Sequence, residues 1–184
     1  MNATRLKIAK PEPGEYDAYY DRYISLIAGS DILAALEKQL PETTTLLSAR
    51  TEREGDFRYA PGKWSVKDVV GHMIDSERIL AYRVLRIGRG DTTPIEGFEQ
   101  DDYVRNGAFN RCRLSDLVRE FAGVRQTTLS LMRNLDEAAW MRRGVANKNE
   151  ISVRALAYTI AGHELHHRKV LVEKYFTPAQ APVA

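Results

Sequence analysis

Cysteine is almost absent from this chain. The one residue of the type, Cys112, has no partner, so an internal disulfide is excluded and a reducing, cytoplasmic setting is expected. Long apolar runs are missing as well: charges interrupt every stretch well short of the ~20 residues that span a bilayer, so no membrane association is expected. The opening MNATRLKIAK carries no apolar core of the kind a secretory leader needs, which fits the same setting. Neither sign of charge is in excess. Lys plus Arg number 27 and Asp plus Glu 25, a formal net charge of +2, and a nucleic-acid partner normally demands a clustered basic footprint. Walker, Rossmann and nucleophile-elbow patterns do not occur. Internal repeats and convincing runs of alternating strand residues are not seen either.

What is present is helical. A chain of 184 residues can bury one core without staples, so a metal here would serve function more than folding. Residues 1–20, with Pro11, Pro13 and Gly14 among charges and tyrosines, read as an arm laid over a surface, and TPAQAPVA at 177–184 reads as a flexible tail. Between them, 21–176 holds four helical patterns. The first, over 21–50, is interrupted by Gly29-Ser30-Asp31 and then by Pro41, where a kink or restart is expected. The second opens on Ser65 with Asp68 as a capping box and Trp64 with Val69 as a staple, then runs through Val66, Val70, Met73, Leu80, Val84 and Ile87 to Gly88 and Gly90. Residues 91–112 have no period, and a connection that long is usually functional or a lid. The third pattern places Leu114, Leu117, Val118, Phe121, Val124, Thr128, Leu131 and Leu135 on one face. Ser152 can cap the fourth, which runs to about Phe176. The expected fold is all-α: a four-helix bundle with a long loop between the second and third helices, whose ligand sites are built from side chains pointing inward.

Three of the four histidines fall in GHELHHRKVL, 162–171. The stripe Val153, Leu156, Ala157, Ile160 extends by steps of three and four to His163, His167 and Leu171, so these two histidines point toward the core. Residues four apart on a helix have Cβ atoms only ~6 Å apart, close enough for two imidazoles to share one ion. His72, on the second helix, is the one histidine outside this segment, and an antiparallel neighbour could bring it alongside. Three histidines with positions left open describe a catalytic metal site. Spacing alone leaves hydrogen-bonded core histidines equally open, and taken singly His72 and His166 favour that reading.

The segment also spells HExxH, a zinc-peptidase signature in which Glu164 would be the general base. That reading needs a third ligand downstream. Glu173 is the sole carboxylate there, less than two turns further on the same helix, and the extended HxxGxxH continuation is missing. Glu164 is then expected to be solvated or to support a ligand. Asp75 could accept the free N–H of His72, though an exposed helical carboxylate is the commoner case. Cys112 reads as an inert, half-buried thiol. Arg78, Arg83, Arg86 and Arg89 read first as a solvated or ion-paired face and second as an anion anchor for a substrate.

The segments YAPGKWSVKDVVGHMIDSERILAYRVLRIGRGD, TPIEGFEQDDYV and ISVRALAYTIAGHELHHRKVL resemble the DinB-like superfamily, in particular its YfiT branch, over about residues 20–176. This family is unrelated to the DNA polymerase that shares the name. The resemblance implies a four-helix bundle with a divalent metal, nickel or zinc, held by one histidine of the second helix and two of the fourth, here His72, His163 and His167. It implies a small-molecule substrate and a homodimer. The chemistry it implies is that of thiol-dependent enzymes such as bacillithiol S-transferases, mycothiol-dependent maleylpyruvate isomerases and glutathione-using relatives. A metal-dependent hydrolase working through water, and a non-catalytic metal-binding stress-response module, are the alternatives.

Overall fold

The computed structural model describes residues 7–177, so the first six residues of the arm and 178–184 of the expected flexible tail lie outside the described residues. Eight α-helices occur among the described residues: α1 Asp21–Ile24, α2 Ile32–Ser48, α3 Glu52–Gly55, α4 Val66–Gly88, α5 Gln100–Gly107, α6 Leu114–Arg133, α7 Glu137–Met141 and α8 Val153–Val170. The four long ones, α2, α4, α6 and α8, form the bundle. Helix α4 packs against α6 and α8, and α2 packs against the same two from the other side. No helix of the described residues is long and apolar enough to cross a membrane.

The starts of the two helices that matter most are set by local chemistry. Ser65 Oγ accepts from the Asp68 N–H at 3.1 Å while the Asp68 carboxylate accepts from the Ser65 N–H at 2.9 Å, the reciprocal box that satisfies two orphan donors. Ser152 Oγ accepts from the Ala155 N–H at 3.1 Å and opens α8. Beyond Val170 the last turn widens into a π-helical segment, Leu171–Phe176. The apolar faces then close on one another: Val69, Val70, Met73 and Ile74 of α4 meet Leu117, Val118 and Phe121 of α6 in one cluster. A second, larger cluster joins Leu36, Leu80, Val84, Leu156, Ile160 and Trp140.

Four features depart from the sequence expectations. Pro41 does not restart the first long helix, because α2 runs through it from Ile32 to Ser48. The connection 91–112 is not free of structure. It contains α5 and a short 3-10 turn, Phe109–Arg111, and it is stitched down where the Ile95 N–H donates to Val145 O and the Asn147 N–H donates to Ile95 O, both at 2.9 Å. Two short strands, β1 Arg143–Ala146 and β2 Asn149–Ser152, form an antiparallel hairpin before α8. Its turn residues Asn147 and Lys148 both have positive φ, 50° and 68°, which is the primed turn that matches strand twist. Four residues a side are too few for alternation to show in sequence. Finally, the arm does more than cover a surface: Ile8, Pro11 and Glu15 are buried, and Tyr158 of α8 donates its hydroxyl to Ile8 O at 3.0 Å.

Candidate metal centre

The early turns of α4 lie beside the late turns of α8, and this brings together the histidine expected on one helix and the pair expected on the other. His72 Nε2 lies 3.0 Å from His163 Nε2. His167 Nε2 lies 3.1 Å from the same atom. Ligand nitrogens of all three converge within 4.8 Å of one another.

Two of these rings, His72 and His163, each follow a glycine and stand against an aromatic wall. At Gly162 a side chain would run into the Tyr23 backbone, its Cβ falling 2.1 Å from Tyr23 O. The bare backbone therefore lets α1 press on α8, and the Tyr23 ring stands edge-on to His163 with centroids 5.3 Å apart. Gly71 does the same for the connection: the Phe109 ring occupies the place a Cβ would take, 2.3 Å from it. Trp64, the staple residue of α4, covers the other side of His72 at 4.8 Å between centroids. The Ser76 hydroxyl, one turn on, lies 3.4 Å from His72 Nδ1.

Burial keeps the cluster neutral. It pushes His72 down to about 4, helped by the charge of His166. His163 and His167 are pushed well below the ordinary imidazole value, again by burial first and then by their histidine neighbours. Neutral imidazole is the ligand form. A ring nitrogen offers one proton or one in-plane lone pair, so a proton placed between two of these Nε2 atoms leaves the third facing them without a bond of its own. One cation at the point of convergence satisfies all three lone pairs. Ligands held ~2.0–2.1 Å from one ion stand about 2.9–3.4 Å from each other in octahedral or tetrahedral geometry, which brackets the two short distances. The donor set therefore fits a divalent ion of the zinc or nickel kind.

The other singled-out residues fall differently. His166 is half-buried against Tyr23, 5.6 Å between centroids, and is not part of the converging set. Glu164 is not solvated. It is buried and ion-paired to Arg125 Nη1 at 2.6 Å, and it accepts from the Thr43 hydroxyl. A carboxylate so engaged is in no position to act as a general base. Asp75 pairs with Arg78 at 3.5 Å, in line with the commoner reading of a helical carboxylate, and it is Ser76 that stands beside His72. Cys112 is a free, half-buried thiol at the edge of the α4–α6 cluster. Of the four arginines, Arg78 pairs with Glu120 and Arg86 with Asp91, as a solvated face would. Arg83 alone is buried.

A pocket of about 270 Å³ opens from the centre, with His72 and His163 at one end and Arg83 further along, walled by Tyr20, Tyr23 and Phe98. Sequence reading expects the 91–112 connection, with Phe98, Tyr103 and Phe109, to help cover a pocket, and of these Phe98 lines it; it missed Tyr20, Tyr23 and the Glu77–Arg125–Glu164 group. The signal for the latter was available: Arg125 stands one turn beyond Phe121, where the apolar stripe of α6 should continue.

Residues 35–171 match the family model of the DinB superfamily. No curated protein matches the chain. Among solved structures, YfiT from Bacillus subtilis, described as "a probable metal-dependent hydrolase with an unusual four-helix bundle topology", superposes with a TM-score of 0.69 at 18% identity, covering 90% of this chain and 91% of that one. The mycothiol-dependent maleylpyruvate isomerase superposes with a TM-score of 0.66 at 11% identity, covering 85% of this chain and 64% of that one. At such identities the likeness is one of fold.

Proposed function

As the chain belongs to the DinB superfamily, we propose that it is a metal-dependent enzyme that activates a low-molecular-weight thiol for transfer to a small electrophile, with nickel or zinc held by His72, His163 and His167. The convergence of three neutral imidazoles, two of which, His72 and His163, line a pocket, carries this reading. A bound divalent ion would supply Lewis acidity, lowering the pKa of a coordinated thiol or water toward neutrality. The chain's own residues do the rest. Trp64 and Tyr23 fix the ring planes, the buried surroundings keep the imidazoles unprotonated, and Phe98 with the tyrosines supplies the aromatic part of the pocket wall.

The side chains present favour a thiol over water. Hydrolysis of an ester or amide calls for a group that delivers a proton to the departing oxygen or nitrogen, and the one carboxylate lining the pocket, Glu99, is exposed to solvent. A thiolate that displaces a halide needs no such proton donor, because the halide leaves as a stable anion. The similarity to YfiT supports the hydrolytic reading, which differs by turnover on esters or amides with no thiol added. The assembly expected of this reading is a homodimer in the cytoplasm, which light scattering and cell fractionation would test.

Purified protein is expected to retain about one divalent ion per chain, and His163→Ala to bind added zinc or nickel more than ~100-fold more weakly, since it removes a ligand rather than a supporting group. Conjugation of bacillithiol, mycothiol or glutathione to a panel of chlorinated aromatics should follow metal occupancy. Wild-type affinity in His163→Ala would sink the metal site, whereas metal-dependent hydrolysis without thiol would replace the transferase with the hydrolase.

A further inference from the structure

Arg83 lies eleven residues after His72 on α4, which at ~100° and ~1.5 Å per residue returns it to the same face roughly 16 Å further along. Only 3% of its surface is exposed. Its Nη2 donates to Glu96 O at 3.0 Å, while its Nε has no hydrogen-bond partner. Among the described residues no carboxylate stands within ion-pair distance of it. The other arginines drawn into the fold are neutralised: Arg125 by Glu77 and Glu164, Arg154 by Glu15. A guanidinium buried against a carbonyl and the neutral Tyr20 hydroxyl, with no counter-charge, is unfavourable in a way an apolar side chain would not be. The missing anion is therefore expected from outside the chain.

The surroundings are built to receive one. Arg83 lines the same pocket as His72 and His163, with neutral hydrogen-bonding groups of Tyr20, Gln100 and Asn147 and with one carboxylate, the solvent-exposed Glu99. Its fixed partner, Glu96 O, belongs to the segment that the hairpin holds through Ile95 and Asn147. Gly97 makes that seam tight, since a Cβ there would fall 2.2 Å from Asn147 Oδ1. The guanidinium is thus held on one side, with the pocket on the other. A single planar arginine, with no second cation in the pocket lining and one exposed carboxylate, Glu99, suits the two oxygens of a carboxylate better than a phosphate dianion, which would leave a second charge uncompensated.

We propose that Arg83 anchors a carboxylate of the substrate, so that the site selects small anionic molecules whose carboxylate lies at the Arg83 end and whose reacting atom lies at the histidine end. The histidine end rests on the metal reading above. The carboxylate end does not, and it can be tested without metal.

Metal-free, full-length protein is titrated with butanoate, with its neutral isostere butanamide and with inorganic phosphate, following the assigned Arg83 Nε–H resonance by NMR. Butanoate is expected to bind at least tenfold more tightly than butanamide, to bind more tightly than phosphate and to shift the Arg83 resonance. Arg83→Met should bind butanoate and butanamide alike. The proposal is overturned if wild type shows no preference, if the preference persists in Arg83→Met, or if the Arg83 resonance does not move at saturating butanoate. Tighter phosphate binding would overturn the carboxylate assignment. The wild-type resonance decides the matter should the variant fail to fold. Metal analysis of the parent preparation separates the two readings: butanoate selectivity in a protein that never holds metal leaves Arg83 as an anion anchor and removes the metal centre.

Discussion

Arg125 carries a full positive charge to a place with no exposed surface, and two carboxylates hold it there: Glu77 grips Nε and Nη2 at 2.8 Å each, and Glu164 grips Nη1. Leu36 O takes a further bond at 3.3 Å, so residues of α2, α4, α6 and α8 meet at one guanidinium. Such a group is expensive to assemble and more expensive to break, because removing one partner strands the others in a low dielectric. Arg125→Met, which keeps most of the volume, is expected to destabilise the fold by about 3–5 kcal/mol, read as a fall in the urea midpoint at unchanged slope. A loss under ~1 kcal/mol would mean that water reaches the two carboxylates. Sequence showed half of this. A charged residue one turn past Phe121 is conspicuous on an apolar stripe, yet Val124 next to it completes a stripe almost as well. The partners lie 48 and 39 residues away, on helices whose rotation about their axes no spacing rule supplies. His163 and His167 were legible for the opposite reason: both lie on one helix, and the 3.6-residue period alone put them together.

Elements joined by one ion pair give the clearest pH dependence. The arm meets the start of α8 through Glu15, whose carboxylate accepts from Ser152 Oγ at 2.7 Å and from Arg154 Nε at 2.8 Å, while its carbonyl accepts from the Ser152 N–H at 3.0 Å. Burial alone would raise the Glu15 pKa. The hydrogen bonds from Arg154, the Glu12 N–H and Ser152 outweigh it and hold the value at about 2, below the ordinary 4.5. A carboxyl depressed in the folded state stabilises the fold fully above its unfolded pKa, and that stability is lost as pH falls from about 5 through 2. The contribution is about 3 kcal/mol. Glu15→Gln is therefore expected to be less stable than wild type at pH 7 and to lose less on acidification, so that the two denaturation midpoints converge near pH 2. Parallel curves from pH 7 to 2 would show that the contact is exchanged for water. Sequence recognised Ser152 as a cap, since Ser before an apolar run is a local signal. It gave the arm no buried role, because the clasp depends on Glu15 reaching a helix that begins far along the chain.

At the scale of the whole molecule, the bundle is over-determined and the site is not. Helical period, the capping box at Ser65 and the cap at Ser152 each specify the long helices locally, which is why they can be read from the chain. The pocket wall comes from Tyr20, Tyr23, Phe98 and Asn147, drawn from the arm, α1, the connection and the hairpin, where no period exists to read. This division bears on what a metal does for the fold. The larger core cluster, built on Leu36, Val84, Trp140, Leu156 and Ile160, does not include the three histidines. Helix formation should not depend on the ion. The ion would instead pin α4 to α8, binding the native state alone because the unfolded chain separates His72 from His163 by 91 residues. At free metal a thousandfold above its dissociation constant that linkage adds about 4 kcal/mol, or a shift of roughly 10 °C for a chain of this size. Exhaustive chelation is accordingly expected to lower the melting temperature by that order while leaving far-ultraviolet circular dichroism at 25 °C unchanged, and re-addition of zinc or nickel should restore it. The same treatment of His167→Ala should move the midpoint by no more than ~2 °C, because with one ligand gone the ion no longer distinguishes folded from unfolded chain strongly. Collapse of the helical signal on chelation would make the ion part of the folding nucleus, and an unchanged melting temperature in wild type would leave the three nitrogens as a hydrogen-bonded cluster with no ion to hold.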